Sequence, residues 1–465
     1  MRPFLDESTE AEAKNLGLYQ LGLPLDLTSP VRTFLSLRNA GHKACLLESA
    51  EGPEALAKYS FVGVNPTGSF RADHRGSILT WNGQTEELSG SPIEGLRQAQ
   101  SRVGAQKHDA TLPPFTGGWI GYFSYNLVRV FEPSVPHHQG DGDDSTLAYF
   151  EYFGDVVAFD HASQKISVFT DCGDGSPKSI QAARDRAHKL AVDIYSPPHI
   201  PGPIELLDDQ VQANYKREAF QSGVEELRAN ISQGEIFQGV LARKFERRFD
   251  GDPFTMYRAL RLTNPAPHMF YFDAPELTLI GSSPERLVSV QDRRIQTRPI
   301  AGTRPRGASP DKDDELAQEL RGDPKERAEH DMLVDLARND LGRVCQFGEV
   351  KVPEYMVVER YSHVMHIVSE VVGRMQPDKS SFDLMRATFP AGTVSGAPKV
   401  RAMQIISELE KLQRNAYAGA LGYFGFDGNH DSCIAIRTAI LKDGTLSIQS
   451  GAGVVADSIP SNEYL

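Results

Sequence analysis

Between Tyr417 and Ser450 the chain holds three strand-like runs, Tyr417–Phe426, Cys433–Leu441 and Leu446–Ser450. They are joined by the turn formers Asp427-Gly428-Asn429 and Lys442-Asp443-Gly444. Tight turns of this kind join antiparallel strands, because a parallel pair needs a crossover of a dozen or more residues. Elsewhere the periodicity predicts helices near 91–104, 178–194, 214–232, 324–341, 380–388 and 398–412. Short strand-like runs such as Ala44–Leu47 and Val156–Phe159 lie between turns. No strand–helix–strand unit repeats, so the fold class is α+β, antiparallel sheets packed with helices, rather than a doubly wound parallel sheet. At 465 residues the chain exceeds what one ordinary core serves. The proline- and glycine-broken stretch Ser196–Pro203 divides it into an N-terminal lobe over residues 1–205 and a second lobe over 206–465.

A net charge of −13 argues against nucleic acid or a membrane surface as a partner, while leaving room for a small anion in a local basic pocket. The four cysteines, Cys45, Cys172, Cys345 and Cys433, are scattered without a CxxC pair, as in a reduced cytosolic protein. The acidic start has no apolar targeting segment, and no apolar run approaches a membrane span, so a cytoplasmic location is expected.

Five segments carry candidate chemistry. Phe389-Pro-Ala-Gly-Thr-Val-Ser-Gly-Ala-Pro-Lys399 is a small-residue loop that feeds a helix, and it reads either as an anion cradle or as a plain turn. Glu326 and Glu329 share one face of the helix that opens at Asp323-Pro324. Together they could hold a magnesium ion, or Glu326 could close a capping box and both face solvent. Within Cys433–Leu441, strand parity puts Arg437 with Cys433, Ala435 and Ala439, a small-residue face open to a carboxylate or phosphate; an edge arginine reaching solvent is the alternative. His366 lies on an apolar strand face with Val364 and Val368, where a satisfied core histidine is the ordinary outcome. Gly451–Ala456 matches G-x-G-x-x-A, but too few residues follow to complete a dinucleotide unit, and Gly392–Lys399 does not fit a P-loop.

Taken in order, these segments resemble the chorismate-utilising enzymes. The resemblance spans almost all of residues 206–465 through Gly234–Leu241, Ser283-Pro-Glu-Arg286, Arg298–Gly307, Asp323–Glu329, Asp335–Asp340, the His366 strand, Phe389–Lys399 and Gly451-Ala-Gly453. Gly117–Tyr125, with Val128-Arg129 and Phe131-Glu132, looks like that family's N-terminal domain, although Asn126 stands where aspartate is usual. Isochorismate-type members are expected to carry a lysine at the position of Gln238, and aminodeoxychorismate synthases one at Ala301. This chain has neither, and so is most similar to the anthranilate synthase large subunits.

The resemblance implies a two-lobed architecture and a Mg²⁺-dependent amination of chorismate by ammonia, followed by pyruvate elimination. It implies a catalytic set of His366, Glu285, Gln238 and Thr303, with Glu285 as general acid and His366 assisting aromatisation. Ala301, Gly302, Tyr417, Arg437, Gly451, Ala452 and Gly453 would bind substrate, and Glu326, Glu329 and Glu463 the metal. Tryptophan is implied as feedback inhibitor at Glu48, Ser49, Asn264, Pro265, Pro267 and Met269, with His268 in place of the usual tyrosine. A separate glutamine amidotransferase would supply ammonia, since no glutaminase Cys-His-Glu set is visible. The family continues past Leu465 with another acidic ligand and a closing helix, so the catalytic lobe is expected to be truncated at its C-terminus. Two alternatives accompany this reading: an aminodeoxychorismate synthase, and a catalytically weak scaffold that binds tryptophan or an amidotransferase.

Overall fold

The structure is a computed structural model that describes residues 6–51, 58–103, 109–136, 145–208, 210–361, 364–410 and 412–464. Six of the helices start on one local device. Ser29-Pro30, Ser91-Pro92, Ser176-Pro177, Asp252-Pro253, Ser309-Pro310 and Asp323-Pro324 each place a side-chain oxygen on an early helical N–H, with proline in the first turn. The predicted helices are found at Pro92–Ser101, Pro177–Ile194, Arg217–Ser232, Pro324–Gly342, Ser381–Thr388 and Lys399–Glu410. Among the described residues no helix is long and apolar enough to cross a membrane.

The strands form two antiparallel sheets, one 14-stranded and one 12-stranded, as expected for the α+β class. Both sheets run across the boundary expected near residue 205. Ala44–Glu48 pairs with His268–Asp273 in the larger sheet, and Gly118–Phe123 pairs with Ala420–Gly425 in the smaller. The sheets face each other across an aromatic layer. Tyr149 and Tyr423 of the smaller sheet meet Phe272 and Phe61 of the larger, with ring centroids 6.2 and 6.0 Å apart. Their neighbours Phe150 and Phe424 point the other way, and Phe424 stacks at 4.7 Å on Phe382 of the helix Ser381–Thr388. Strands such as Gly118–Phe123 and Ala148–Phe153 are therefore buried on both faces, which is why they read as apolar runs without clean alternation. A second core lies on the outer face of the larger sheet, where Phe34, Phe254 and Tyr257 of two helices cover Tyr271 and its neighbours.

One expectation is corrected. The run Cys433–Leu441 is not a single strand: His430–Ile434 belongs to the smaller sheet and Thr438–Lys442 to the larger. The chain changes sheets at Arg437, whose φ of 48° cannot continue an extended strand. Strand parity across the break therefore says nothing about where Arg437 points. The meander is correspondingly two hairpins, one in each sheet.

Candidate active site

The crossover at Arg437 opens a cavity of about 630 Å³, within the size range of small-molecule sites. Its walls come from widely separated parts of the sequence. Gln238 and Val240 start the long strand Gln238–Asp250, and Ala301, Gly302 and Thr303 lie on Ile300–Pro305. Tyr417, Ile436 and Arg437 line another side, and Gln449–Gly451 with Gly453 lie on Thr445–Val454. Pairing between Thr445–Val454 and Thr438–Lys442 ends at Ile448, so beyond it the strand keeps its ladder to Gln238–Asp250 and presents its other edge to the cavity. Gly453 is needed there: a Cβ would stand 3.0 Å from Gln238 Nε2. Ala452, by alternation, faces the other way and packs with the core cluster of Phe220 and Leu241, so only its backbone is on the cavity side.

Glu285 reaches this cavity from the loop after Thr278–Ser283. Burial pushes its carboxyl pKa up to about 7, against the opposing effects of a hydrogen bond from Thr393 Oγ1 at 3.1 Å and of the Arg437 charge. Near neutral pH such a carboxyl holds a proton that it can donate. Thr393 was absent from the residues singled out in the sequence, where attention in Phe389–Lys399 fell on backbone amides. Lys399 of this loop is not free to meet an anion. Lys399 is spent on a buried ion pair with Asp340 at 2.8 Å and donates to the Thr388 carbonyl.

The loop is fixed from beneath by Arg414, which is 2% exposed. Its guanidinium pairs with Glu410 at 2.6 Å and donates to the carbonyls of Val394 and Val240. Glu410 in turn accepts from the Ala242 N–H. We predict that Arg414→Met costs about 3–5 kcal/mol, because it strands the Glu410 carboxylate in the core. The midpoint of urea unfolding reads this directly.

His366 stands behind the Gly302–Thr303 wall, 8% exposed, and is paired across the sheet with Thr303. Its Nδ1 lies 3.0 Å from the Gly302 carbonyl and 3.0 Å from Thr303 Oγ1. A carbonyl only accepts, so Nδ1 carries the proton and Nε2 is the basic nitrogen. Burial holds the imidazole pKa below its ordinary value, so the ring is neutral at physiological pH. The side-chain oxygen of Gln238 is buried in the cavity wall with no hydrogen-bond partner among the described residues. It is an acceptor waiting for a donor.

Glu329 lines the cavity, and Glu326 lies beside Gly302, whose φ of 64° and missing Cβ let the carboxylate approach to 3.0 Å of where that atom would be. Glu326 does not close a capping box. Its carboxylate is turned to Arg304 at 3.1 Å, while Asp323 alone caps the helix. Glu463, on Pro460–Tyr464, completes the acidic side. Among the described residues no three ligating groups already converge to hold a metal ion. Their charges nevertheless converge: burial, then Glu326, Glu463 and Asp323, raise the Glu329 pKa despite Lys325. Oxygen donors that repel one another in this way fit a hard divalent cation.

A second cavity, of about 70 Å³, lies between the sheets and is lined by Glu48, Ser49, Pro267, His268 and Met269 together with Tyr423 and Asp431. Glu48 is already committed there, to Arg261 through both oxygens at 2.8 Å and to the Tyr257 hydroxyl at 2.7 Å. Asn264 and Pro265 are not part of its lining. Asn264 is turned instead towards Arg437.

The sequence profile of a family described as chorismate binding enzyme matches residues 42–465. An anthranilate synthase component 1 from Geobacillus stearothermophilus is 42% identical over 456 residues, covering 94% of this chain and 89% of the relative. One from Aquifex aeolicus (strain VF5) is 42% identical over 450 residues, covering 95% of this chain and 90% of the relative. Among solved structures, an anthranilate synthase component I from Streptococcus pneumoniae TIGR4 superposes with a TM-score of 0.78 at 36% identity, covering 89% of this chain and 91% of that one.

Proposed function

We propose the following reaction for this chain, which belongs to the family of chorismate binding enzymes: chorismate and ammonia give anthranilate, pyruvate and water. It is the reaction named by its relatives, and the observation that carries it to this site is the pair Gln238 and Ala301 on the cavity wall. A neutral amide cannot deprotonate water, and a methyl group cannot attack the ring. Ammonia needs neither, since its own lone pair is the nucleophile.

Glu285 donates its proton to the departing ring hydroxyl as ammonia adds at the carbon beside the carboxylate. His366, held against Gly302 and Thr303 of the cavity wall, then assists removal of the ring proton, and loss of the enolpyruvyl group as pyruvate leaves the aromatic ring. Arg437, Tyr417 and the free edge at Gly451-Ala452-Gly453 hold one carboxylate of the substrate, while Ala301 and Gly302 leave room for the ring. Thr303 steadies His366. Glu326, Glu329 and Glu463 would hold Mg²⁺, which when bound supplies positive charge to the other carboxylate.

Ammonia comes from a separate glutamine amidotransferase, and tryptophan is the feedback inhibitor at the second cavity, which at about 70 Å³ has to widen to admit an indole. The apolar walls of Pro267 and Met269 beside polar Ser49 support that ligand. A cytoplasmic location follows from the biosynthetic role.

The test is the appearance of anthranilate fluorescence from chorismate, Mg²⁺ and ammonium; a para-aminated or hydroxylated product, or none, would overturn the reading. In the same assay Gln238→Lys is expected to divert part of the flux to water addition, detected as isochorismate by chromatography. A variant giving only anthranilate at reduced rate would show that position 238 does not select the nucleophile.

A further inference from the structure

Arg437 lines the larger cavity, where its charge acts on Glu285, and an arginine without a partner samples many rotamers. Among the described residues its side chain has one hydrogen-bond partner, Asn264, whose Oδ1 accepts from Nη1 at 3.3 Å. That bond closes a ring of contacts. The Arg437 carbonyl accepts from the Ser282 N–H at 3.1 Å, and the Ser282 hydroxyl donates to the Asn264 carbonyl. Backbone and guanidinium of Arg437 are thus held by the same two residues.

Asn264 is itself well anchored. It caps the helix Pro253–Thr263, donating its N–H to the Leu260 carbonyl at 2.8 Å, and it is half-buried. The chain that follows is tied down at Ala266 and Pro267, whose carbonyls accept from the Ala50 N–H and the Ser49 hydroxyl. A guanidinium presents two edges to a carboxylate, so engagement of Nη1 by an amide oxygen leaves the Nε/Nη2 edge for bidentate pairing.

We propose that Asn264 is a positioning residue of the chorismate site: it fixes the Arg437 guanidinium so that the Nε/Nη2 edge meets a substrate carboxylate. The inference rests on the reading of this cavity as the chorismate site, and it moves Asn264 from the expected inhibitor set to the substrate side. Because the bond is made to a group that binds substrate before any bond changes, its loss weakens binding and leaves the chemical step alone.

Steady-state kinetics of Asn264→Ala therefore show KM for chorismate raised about tenfold, the weight of one hydrogen bond to a charged group, with kcat within about twofold. A double-mutant cycle separates positioning from a structural effect. Against an Arg437→Gln background, Asn264→Ala adds nothing further. Ser282→Ala, which opens the same ring without touching Asn264, raises KM in the same direction. It also provides the test if Asn264→Ala fails to fold, as a thermal melt would reveal. An unchanged KM in a folded variant, or an undiminished effect of Asn264→Ala in the Arg437→Gln background, overturns the proposal. Equilibrium titration with chorismate in the absence of ammonia keeps the two readings apart. Wild type that binds chorismate but makes no anthranilate counts against the reaction alone. Equal affinity of wild type and Asn264→Ala counts against Asn264 alone.

Discussion

Replacing Glu285 with glutamine is expected to lower kcat about 10³-fold and to flatten the alkaline side of the pH profile. The carboxyl titrates near pH 7 because burial penalises its anion, while the Thr393 hydrogen bond and the Arg437 charge pull the other way. A general acid acts in its protonated form. At a fixed concentration of free ammonia, wild-type activity is therefore full below that pKa and falls tenfold per pH unit above it. Glutamine keeps the shape and can still accept the Thr393 hydroxyl, so what is lost is the proton rather than the packing. A companion change, Thr393→Val, removes a bond that favours the anion and should shift the alkaline limb to higher pH. Rates of anthranilate formation between about pH 6 and 9 decide the matter. An alkaline limb that survives unchanged in Glu285→Gln would assign the titration to another group.

His366→Ala is expected to separate the two halves of the reaction. Amination needs the cavity, Glu285 and ammonia, and none of these is displaced by trimming a side chain that lies behind Gly302 and Thr303. Removal of the ring proton needs the imidazole, which burial keeps neutral and whose Nδ1 contact leaves Nε2 basic. Pyruvate release should fall by about 10²–10³-fold, while an aminated, still non-aromatic product accumulates and is visible by chromatography. Parallel loss of both products would remove His366 from the second step. Since the imidazole is charged only at acid pH, wild-type pyruvate release should also decline below the depressed histidine pKa, and the alanine variant should not share that decline.

The sequence carried local information well. Helix starts were readable because a Ser-Pro or Asp-Pro pair announces itself within a turn, and Glu326 and Glu329 share a face simply by spacing. Antiparallel pairing was readable wherever a short turn joined the partners. What was illegible is long-range. No local pattern says that Gly118–Phe123 pairs with a strand three hundred residues later, so a linker was read as a division while both sheets ran past it. Arg437 shows the same limit at one residue. Its parity was computed along a strand that in fact breaks there, and a positive φ at an arginine has no signature in sequence. Thr393 was hidden for a different reason: its contact is to Glu285, a residue 108 positions away.

The interleaving of the two halves dictates an order of assembly. During synthesis Gly118–Phe123 emerges long before Ala420–Gly425, and Gln238–Asp250 long before Thr445–Val454. For most of translation, therefore, the nascent chain exposes apolar strands whose hydrogen-bonding edges lack their native neighbours, the kind of surface that invites aggregation and chaperone binding. The larger cavity cannot close until Gly451 and Gly453 are in place opposite Val240 and Ala242. A ribosome that stops before Gly453 releases a chain that lacks one wall of that cavity.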